Sequence, residues 1–413
     1  MKRDYDAIIV GGGPAGTSAS VHLATRGSRV LLVEKEKFPR AKLCGEFISP
    51  ECLAHFARLG VLEEMERAGG ARVGETLFFA RSGRRVGVPS AWFGTQATGS
   101  RESAGVALGL SRAEMDQRLM LRARAAGVEV LEEAQVIGVL FGDDERQRVA
   151  GVRVEWRGDE LELRAAVTID ATGRARTLAR RVEQAAKSDG AREAKAHGAS
   201  PKRMPLVAFK AHLEDARGAD GACEIYFYRG GYGGLSRVEG GLSNLCFIVA
   251  ARDVRARASD AERVMREIVM SNARAAETLK GARVNSEWLA VALESFGRRE
   301  LVPREGLLTV GDAASFIDPF TGSGMLMALE SGELAGACVA RALPELRANG
   351  SFTQLAEDYR ARYRERFAAR LRVCSWLRRA AFAPELATEA GIVALGASER
   401  VRRALARATR PAA

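Results

Sequence analysis

Asp6-Ala-Ile-Ile-Val10-Gly11-Gly-Gly13-Pro14-Ala15-Gly16 runs from a short apolar segment directly into a glycine turn. Beyond it, Thr17 to Arg26 carries alanine, valine and leucine at helical spacing, so the pattern predicts strand, turn and helix. Each glycine has a steric task. Gly11 permits the tight turn, Gly13 lets the backbone approach a pyrophosphate, and Gly16 allows the helix to pack closely on the strand, with phosphate oxygens facing the helix N-terminus. A second apolar run, Arg29-Val-Leu-Leu-Val33, ends in Glu34, with Lys35 beside it. An acidic side chain about 20 residues beyond such a turn meets a ribose hydroxyl. Strand, turn, helix, strand and acid together predict dinucleotide binding.

The chain around this unit has 413 residues, 47% of them hydrophobic, enough for one large core or two joined ones, and single cores rarely grow past ~250–300 residues. Two domains are expected. The net charge of +11 is spread among alternating basic and acidic residues, which excludes a general nucleic-acid binder as the default. Six cysteines without a Cys-x-x-Cys pair and four histidines at no ligand spacing argue against a structural metal. The opening MKRDYDAIIV moves directly into a strand, and no run of ~18 apolar residues occurs, so cytoplasmic residence is expected.

A second strand-turn-helix pattern lies far downstream. Leu307-Leu-Thr-Val-Gly-Asp312-Ala-Ala is followed by Phe316-Ile-Asp-Pro-Phe-Thr-Gly322-Ser-Gly324-Met325-Leu and an alanine-rich helical stretch. An aspartate at a strand end accepts hydroxyl hydrogen bonds, and the N–H groups opening the next helix face an electron-rich ring or an oxyanion. A nicotinamide dinucleotide alone would not require this second site.

Taken together, the Gly-x-Gly-x-x-Gly turn, the Val-Gly-Asp-Ala-Ala and the Pro-x-Thr-Gly-x-Gly resemble the fold shared by flavin hydroxylases of the p-hydroxybenzoate type, flavin-dependent halogenases and geranylgeranyl reductase-like proteins. The resemblance implies FAD, with Asp312 on the ribityl chain, Gly322 in the adjoining turn, and the backbone of Gly324 and Met325 against the flavin ring. Ser111-Arg112-Ala-Glu-Met-Asp116-Gln-Arg-Leu119 resembles the family's Arg-x-x-x-Asp-x-x-Leu helix, whose arginine contacts FAD; the alternative is a solvated intrahelical Arg–Asp pair. Ala166-Val-Thr-Ile-Asp170-Ala-Thr-Gly173 resembles the Asp-Gly motif beside the nucleotide, and Gly127 to Val136 resembles the strand whose last backbone group touches adenine.

Phe38-Pro-Arg-Ala-Lys-Leu-Cys44-Gly45-Glu46 is similar both to the Cys-Gly-Glu of geranylgeranyl reductase-like proteins, whose backbone lines the flavin pocket, and to a halogenase Phe-Pro-Arg-x-x-x-Gly-Glu run. The halogenase Trp-x-Trp-x-Ile-Pro signature occurs nowhere in the chain. Cys44 reads as a small polarizable side chain beside a glycine, with core packing and thiolate chemistry as the alternatives. Where reductase-like proteins carry Tyr-x-Trp-x-Phe-Pro, this chain has Tyr232-Gly-Gly-Leu-Ser-Arg-Val, which puts a geranylgeranyl substrate in doubt.

The expected fold is therefore α/β: a Rossmann-type FAD-binding domain (1–75, 101–182 and 297–345) interleaved with a β-rich substrate domain (76–100 and 204–296). Residues 183–203, low in apolar side chains, read as a mobile loop or a solvated helix. Gly230 to Gly241 reads as a hairpin, and Tyr226, Tyr228 and Tyr232 are candidate substrate contacts. In the C-terminal helical region, 346–413, arginines from Arg360 to Arg379 interleave with Tyr359, Tyr363, Phe367, Leu371 and Trp376, and Pro384 stops the run. The resulting basic helix either rests on an anionic membrane surface or covers the FAD domain with a solvated outer face. The function expected is FAD-dependent oxidation–reduction of an apolar, isoprenoid- or polyketide-like substrate, with reduction of a carbon–carbon double bond ahead of hydroxylation. NAD(P)H or another donor is the transient reductant, since no second Rossmann fingerprint is present. Halogenation and a non-catalytic flavin-binding role rank lower, and no catalytic side chain is named.

Overall fold

The structure, a computed structural model, describes residues 4–93, 105–142, 147–190, 205–293, 296–348 and 350–410. Its first sheet is built on Tyr5–Val10, a strand buried on both faces, as an apolar run between parallel neighbours must be. Val30–Val33 and then Glu129–Leu131 pair parallel on one side of it. On the other side lies Asp159–Asp170, a long strand that does two jobs. Its second half pairs parallel with Tyr5–Val10 and Leu307–Thr309, and its first half pairs antiparallel with Val149–Trp156, which continues to Ala134–Phe141. Both glycine turns thus leave the same end of one sheet.

The helices that follow those turns pack on each other. In the helix Gly324–Arg347, a Cβ at Gly332 would lie 2.2 Å from the Ala15 carbonyl oxygen, so no other residue allows Pro14–Ala24 so near. Ser18 Oγ donates to the Leu329 carbonyl at 2.9 Å, and Gly311 N–H donates to Ser331 Oγ at 2.8 Å.

A second sheet has the order Arg283–Val284, Leu206–Glu214, Ser243–Ala250, Gly231–Arg237, Ala222–Tyr228, Glu75–Phe79, Arg85–Pro89, with Leu289–Leu293 also paired to Leu206–Glu214. One face packs Phe79, Phe209, Leu213, Tyr226, Tyr228 and Phe247 against three short helices between Ala251 and Leu279. The other face presents Ala208, Phe227, Tyr232 and Ile248 toward Phe316 and Phe320. The Gly230–Gly241 stretch forms the expected hairpin arm, Gly231–Arg237 pairing with strands on both sides.

Three expectations need correction. The stretch 127–136 is not one strand: Glu133, at φ 56°, turns the chain between Glu129–Leu131 and Ala134–Phe141, and Val136 belongs to the second piece. The segment 183–203 starts inside the helix Thr177–Gly190, where Glu183 pairs with Arg176 at 2.7 Å; its remainder lies outside the described residues. The C-terminal region forms the helices Thr353–Ala381, Glu385–Ala397 and Glu399–Ala408, with Pro384 at the first break. In the first of these, Tyr359, Tyr363, Phe367, Arg370 and Cys374 recur at helical spacing and make the buried stripe, so Arg370 faces inward and pairs with Glu330 at 2.6 Å. Trp376, two positions past Cys374, falls off that stripe and is 57% exposed. Among the described residues no helix is long and apolar enough to cross a membrane.

Glu333 ties four helices together. His55 Nδ1 and Arg58 Nη2 each lie 3.1 Å from it, His22 Nε2 lies 3.7 Å away and Arg366 Nη2 3.9 Å. Burial pushes its carboxyl pKa up, but hydrogen bonds from His22, His55 and Arg58 outweigh that and hold it well below the usual range. A carboxylate depressed in this way contributes stability above its unfolded pKa of ~4.3, and loses it as pH falls through the native value. Glu333→Gln is expected to cost about 1–3 kcal/mol near neutral pH in urea unfolding of the flavin-free protein. The gap between variant and parent should shrink in acid; a gap unchanged down to about pH 3 contradicts the assignment.

Candidate active site

The two glycine turns open onto one cleft of about 520 Å³, walled on its far side by the inner face of the second sheet. At the first turn Gly11 has φ 109°, and a Cβ there would sit 2.4 Å from the Ala171 carbonyl oxygen. Gly16 lies beneath the turn, not in the cleft wall: its Cβ would be 1.9 Å from the Gly11 oxygen. Gly13 differs from both, since its Cβ position has only the tips of Arg112 and Arg40 near it, at 3.8 and 4.0 Å. Backbone is thereby bared to the cleft beside two guanidinium groups, with Pro14 and Ala15 continuing the wall.

Those arginines are held by one buried carboxylate. Arg112 forms a two-pronged bond to Asp116 at 2.9 and 2.7 Å, and Arg40 Nη1 reaches the same carboxylate at 3.0 Å. The intrahelical Arg112–Asp116 pair and cleft-facing placement therefore coexist. Glu34 accepts from Gly12 N–H at 2.7 Å and Glu36 N–H at 3.0 Å while lining the cleft, with Lys35 next to it. Arg40, Lys42 and Arg112 outnumber Glu34 and Asp116 here, and this surplus positive charge suits a diphosphate.

At the second turn, Asp312 lines the cleft and makes no hydrogen bond among the described residues. Burial raises its pKa, opposed by the charges of Arg174, Arg112 and Lys42. A carboxylate acceptor in this position suits ribityl hydroxyls. Gly322, at φ 60°, and Gly324 and Met325 at the start of the Gly324–Arg347 helix line the same wall, and nothing lies within 4 Å of a Cβ at Gly324. Val136 and Gly173 also line the cleft.

Asp170 does not reach the cleft wall. Fully buried, it accepts from Thr172 N–H and Oγ1 at 3.0 and 2.6 Å, and from Leu178 and Ala179 N–H at 3.1 and 2.9 Å. Its carboxylate is consumed in fastening the strand end to the helix that follows, so it supports the cleft from behind.

Cys44-Gly45-Glu46 lines the cleft, but its glutamate has a further task. Glu46, fully buried at φ 54°, turns its carboxylate to Lys210, to His212 at 2.6 Å and to Arg112 N–H at 2.9 Å. Burial pushes the Glu46 pKa up, and His212 and Lys210 bring it below the ordinary value. The loop is thus bolted to the second sheet. Cys44 Sγ accepts from Glu46 N–H at 3.4 Å.

Of the three tyrosines only Tyr232 lines the cleft, and its hydroxyl donates to Asp318. Tyr226 bonds Glu224 at 2.5 Å and Tyr228 the Ile248 carbonyl at 3.0 Å, both on the opposite face. Register explains this. Phe227 pairs with Tyr232 across the hairpin, so the two share a face, and the neighbours of Phe227 must point away. Sequence reasoning missed Arg40, Lys42, Arg174, Phe47, Phe78, Phe320 and Arg410, all in the cleft wall. Arg40, Lys42 and Phe47 belong to or adjoin the Phe38–Glu46 run, Arg174 follows Gly173 and Phe320 lies within the Phe316–Gly324 motif, while Phe78 and Arg410 come from segments without a local pattern.

Two glycine turns on one sheet, a basic cluster between them and an aspartate at the second strand end define a dinucleotide-binding flavoprotein. The chain belongs to the FAD binding domain family, whose model matches residues 4–351. It is similar to the digeranylgeranylglycerophospholipid reductase of Methanosarcina mazei, 27% identical over 375 residues covering 88% of this chain and 82% of the relative. It is also similar to the menaquinone reductase of Mycolicibacterium smegmatis, 26% identical over 383 residues covering 89% and 82%. In fold it resembles a geranylgeranyl bacteriochlorophyll reductase-like protein from Thermoplasma acidophilum (TM-score 0.75, 20% identity, covering 97% and 95%). A flavin-dependent brominase is as similar in fold (TM-score 0.76, 20% identity, covering 98% and 93%). The protein is an FAD-dependent oxidoreductase.

Two substitutions probe the cleft. Asp312→Ala is expected to weaken FAD binding by about 1.5–3 kcal/mol, the contribution of a hydrogen bond to a charged group; equal affinity in calorimetric titration contradicts the placement. At Gly45 nothing lies within 4 Å of a Cβ, so valine fits the protein alone. Gly45→Val should leave melting of the flavin-free form unchanged yet lose FAD, whereas Cys44→Ser should keep it.

Proposed function

We propose that the protein uses reduced FAD to saturate a carbon–carbon double bond in an apolar, isoprenoid- or polyketide-like molecule. The carrying observation is the continuity of the cleft. The turn Gly322–Met325, assigned to the flavin ring, shares one cavity with Phe47, Phe78, Ile225, Tyr232, Ile248 and Phe320. Two relatives named as reductases, of a digeranylgeranyl lipid and of menaquinone, support reduction over oxygen insertion.

When bound and reduced by the donor, FAD would supply the hydride, and the second hydrogen would enter as a proton from solvent. The chain supplies position and dryness. Gly13, Arg112 and Arg40 hold the pyrophosphate, Glu34 a ribose hydroxyl and Asp312 the ribityl chain. On the substrate side, Tyr232 directs its hydroxyl to Asp318, whose other oxygen accepts from Arg378 Nε at 3.0 Å. Burial raises the pKa of Asp318, while Tyr232, the Phe320 N–H and Arg378 stabilise its charge. With its polar end so occupied, Tyr232 presents ring surface to the cleft, tilted edge-on to Phe320 at 5.4 Å between centroids.

NAD(P)H or another donor is the transient reductant. The helix Thr353–Ala381 exposes Trp376, with Arg372 and Arg379 exposed near it in sequence, which suits peripheral contact with an anionic membrane holding the substrate. The test is anaerobic incubation of the reduced protein with isoprenoid and polyketide-like alkenes, followed by mass analysis. A product with two added hydrogens is expected; a product that forms only in air and carries an added oxygen contradicts the reading.

A further inference from the structure

The strand Gly231–Arg237 contains Gly231, Gly233 and Gly234, and each would meet different neighbours if it carried a side chain. A Cβ at Gly231 would lie 1.9 Å from the Ile248 carbonyl oxygen, so the adjoining strand excludes any other residue. Gly233 pairs with Tyr226 and Phe247 on the face turned away from the cleft, and its Cβ would stand 3.0 Å from the Phe247 Cβ. Gly234 differs from both. Its Cβ would meet only the Ile225 Cδ1 at 3.0 Å, the end of a flexible side chain, and the Glu224 carbonyl oxygen at 3.5 Å. Its φ lies outside the left-handed region. Neither packing nor backbone conformation therefore demands glycine at 234, although glycine in a strand interior weakens the strand and often marks a place where a ligand approaches closely. Gly234 lines the cleft together with Ile225 and Cys246, so a longer side chain there would take up cleft space.

Register sets this gap near the loop expected against the flavin. Ile225, Gly234, Cys246 and Lys210 are successive partners across four strands, and Lys210 holds Glu46 of the Cys44–Gly45 loop. Two strand spacings, roughly 10 Å, separate Gly234 from that bolt. In the next row of the same face Tyr232 and Ile248 stand beside the gap, which makes it a slot in the wall and not a general widening. In motif order Gly234 also falls where the Tyr-x-Trp-x-Phe-Pro stretch has its tryptophan. An open isoprenoid chain would leave such a slot unfilled and forfeit its dispersion contacts, whereas a ring fills it. We propose that Gly234 is the specificity-determining position of the cleft and admits a ring carried next to the reacting double bond. The proposal rests on the apolar-substrate reading above and narrows it to substrates that are cyclic at that point.

The test is titration of the oxidised, FAD-loaded protein with β-ionone and pseudoionone, followed by the flavin spectrum and by calorimetry. The two are isomers with the same unsaturated ketone, one closed into a ring and the other an open chain. The parent should bind β-ionone about tenfold tighter or more, the discrimination that shape fit in an apolar pocket supplies. Gly234→Val should retain FAD, since the position lies on the second sheet, and should keep pseudoionone binding while the preference for β-ionone falls to near unity. Melting of its flavin-free form should be unchanged or raised, because a β-branched residue suits a strand. If Gly234→Val does not fold, Gly234→Ala decides, with a smaller loss of β-ionone binding in the same direction. Equal binding of the isomers by the parent, a preference for the open chain, a ratio unmoved by either change, or an equal loss of both ligands overturns the proposal while leaving the apolar cleft in place. Failure of both isomers to bind the parent overturns the apolar-substrate reading with it.

Discussion

The close crossing of two helices is the constraint on which the site depends. Pro14–Ala24 and Gly324–Arg347 begin at the two cleft-lining turns, more than three hundred residues apart in sequence, and they meet where Gly332 lets the Ala15 carbonyl come within 2.2 Å of a hypothetical Cβ. Gly16 does the same toward the turn at Gly11, and a Cβ at Gly336 would stand 3.0 Å from the His22 Cβ. Backbone thus packs on backbone. Side chains there would push the second turn, and Asp312 with it, away from Gly13.

Around that crossing, charge fastens what packing brings near. Asp116 draws Arg112 and Arg40 together above Gly13, Glu46 joins the Cys44–Gly45 loop to Lys210 and His212 of the second sheet, and Glu330 takes Arg370 from the C-terminal helix. Each carboxylate is almost completely buried, so each must be paired, and each pair is a fixed point of the cleft. The aromatic wall between the sheets needs no such pairing except at Tyr232 and Asp318, where one polar contact leaves a largely apolar surface. The cleft is charged at its nucleotide end and apolar across the second sheet.

How much of this was legible in the sequence followed the range of the interactions. Gly11 to Gly16, Glu34 and the Gly311–Gly324 segment are readable because the steric demand and its residue lie within one turn. Asp170 was given a direct cofactor contact, because nothing local shows that Leu178 and Ala179 N–H groups claim its oxygens. Tyr226 and Tyr228 were misplaced although the rule needed was present: strand alternation puts them on one face, and the pairing of Phe227 with Tyr232 decides which. Glu46 and Arg410 were illegible as to role, because Lys210, His212 and Thr321 reach them from segments 89 to 166 residues away.

The central claim is that the two turns make a single site for a whole dinucleotide, one gripping the nucleotide half and the other the flavin half. Calorimetric titration of the flavin-free protein with FAD and, separately, with FMN tests it most directly. The account predicts far tighter binding of FAD, since Gly13, Glu34, Arg112 and the pocket around Val136 have only the adenylate half to hold. Equal affinity for FMN and FAD would contradict it.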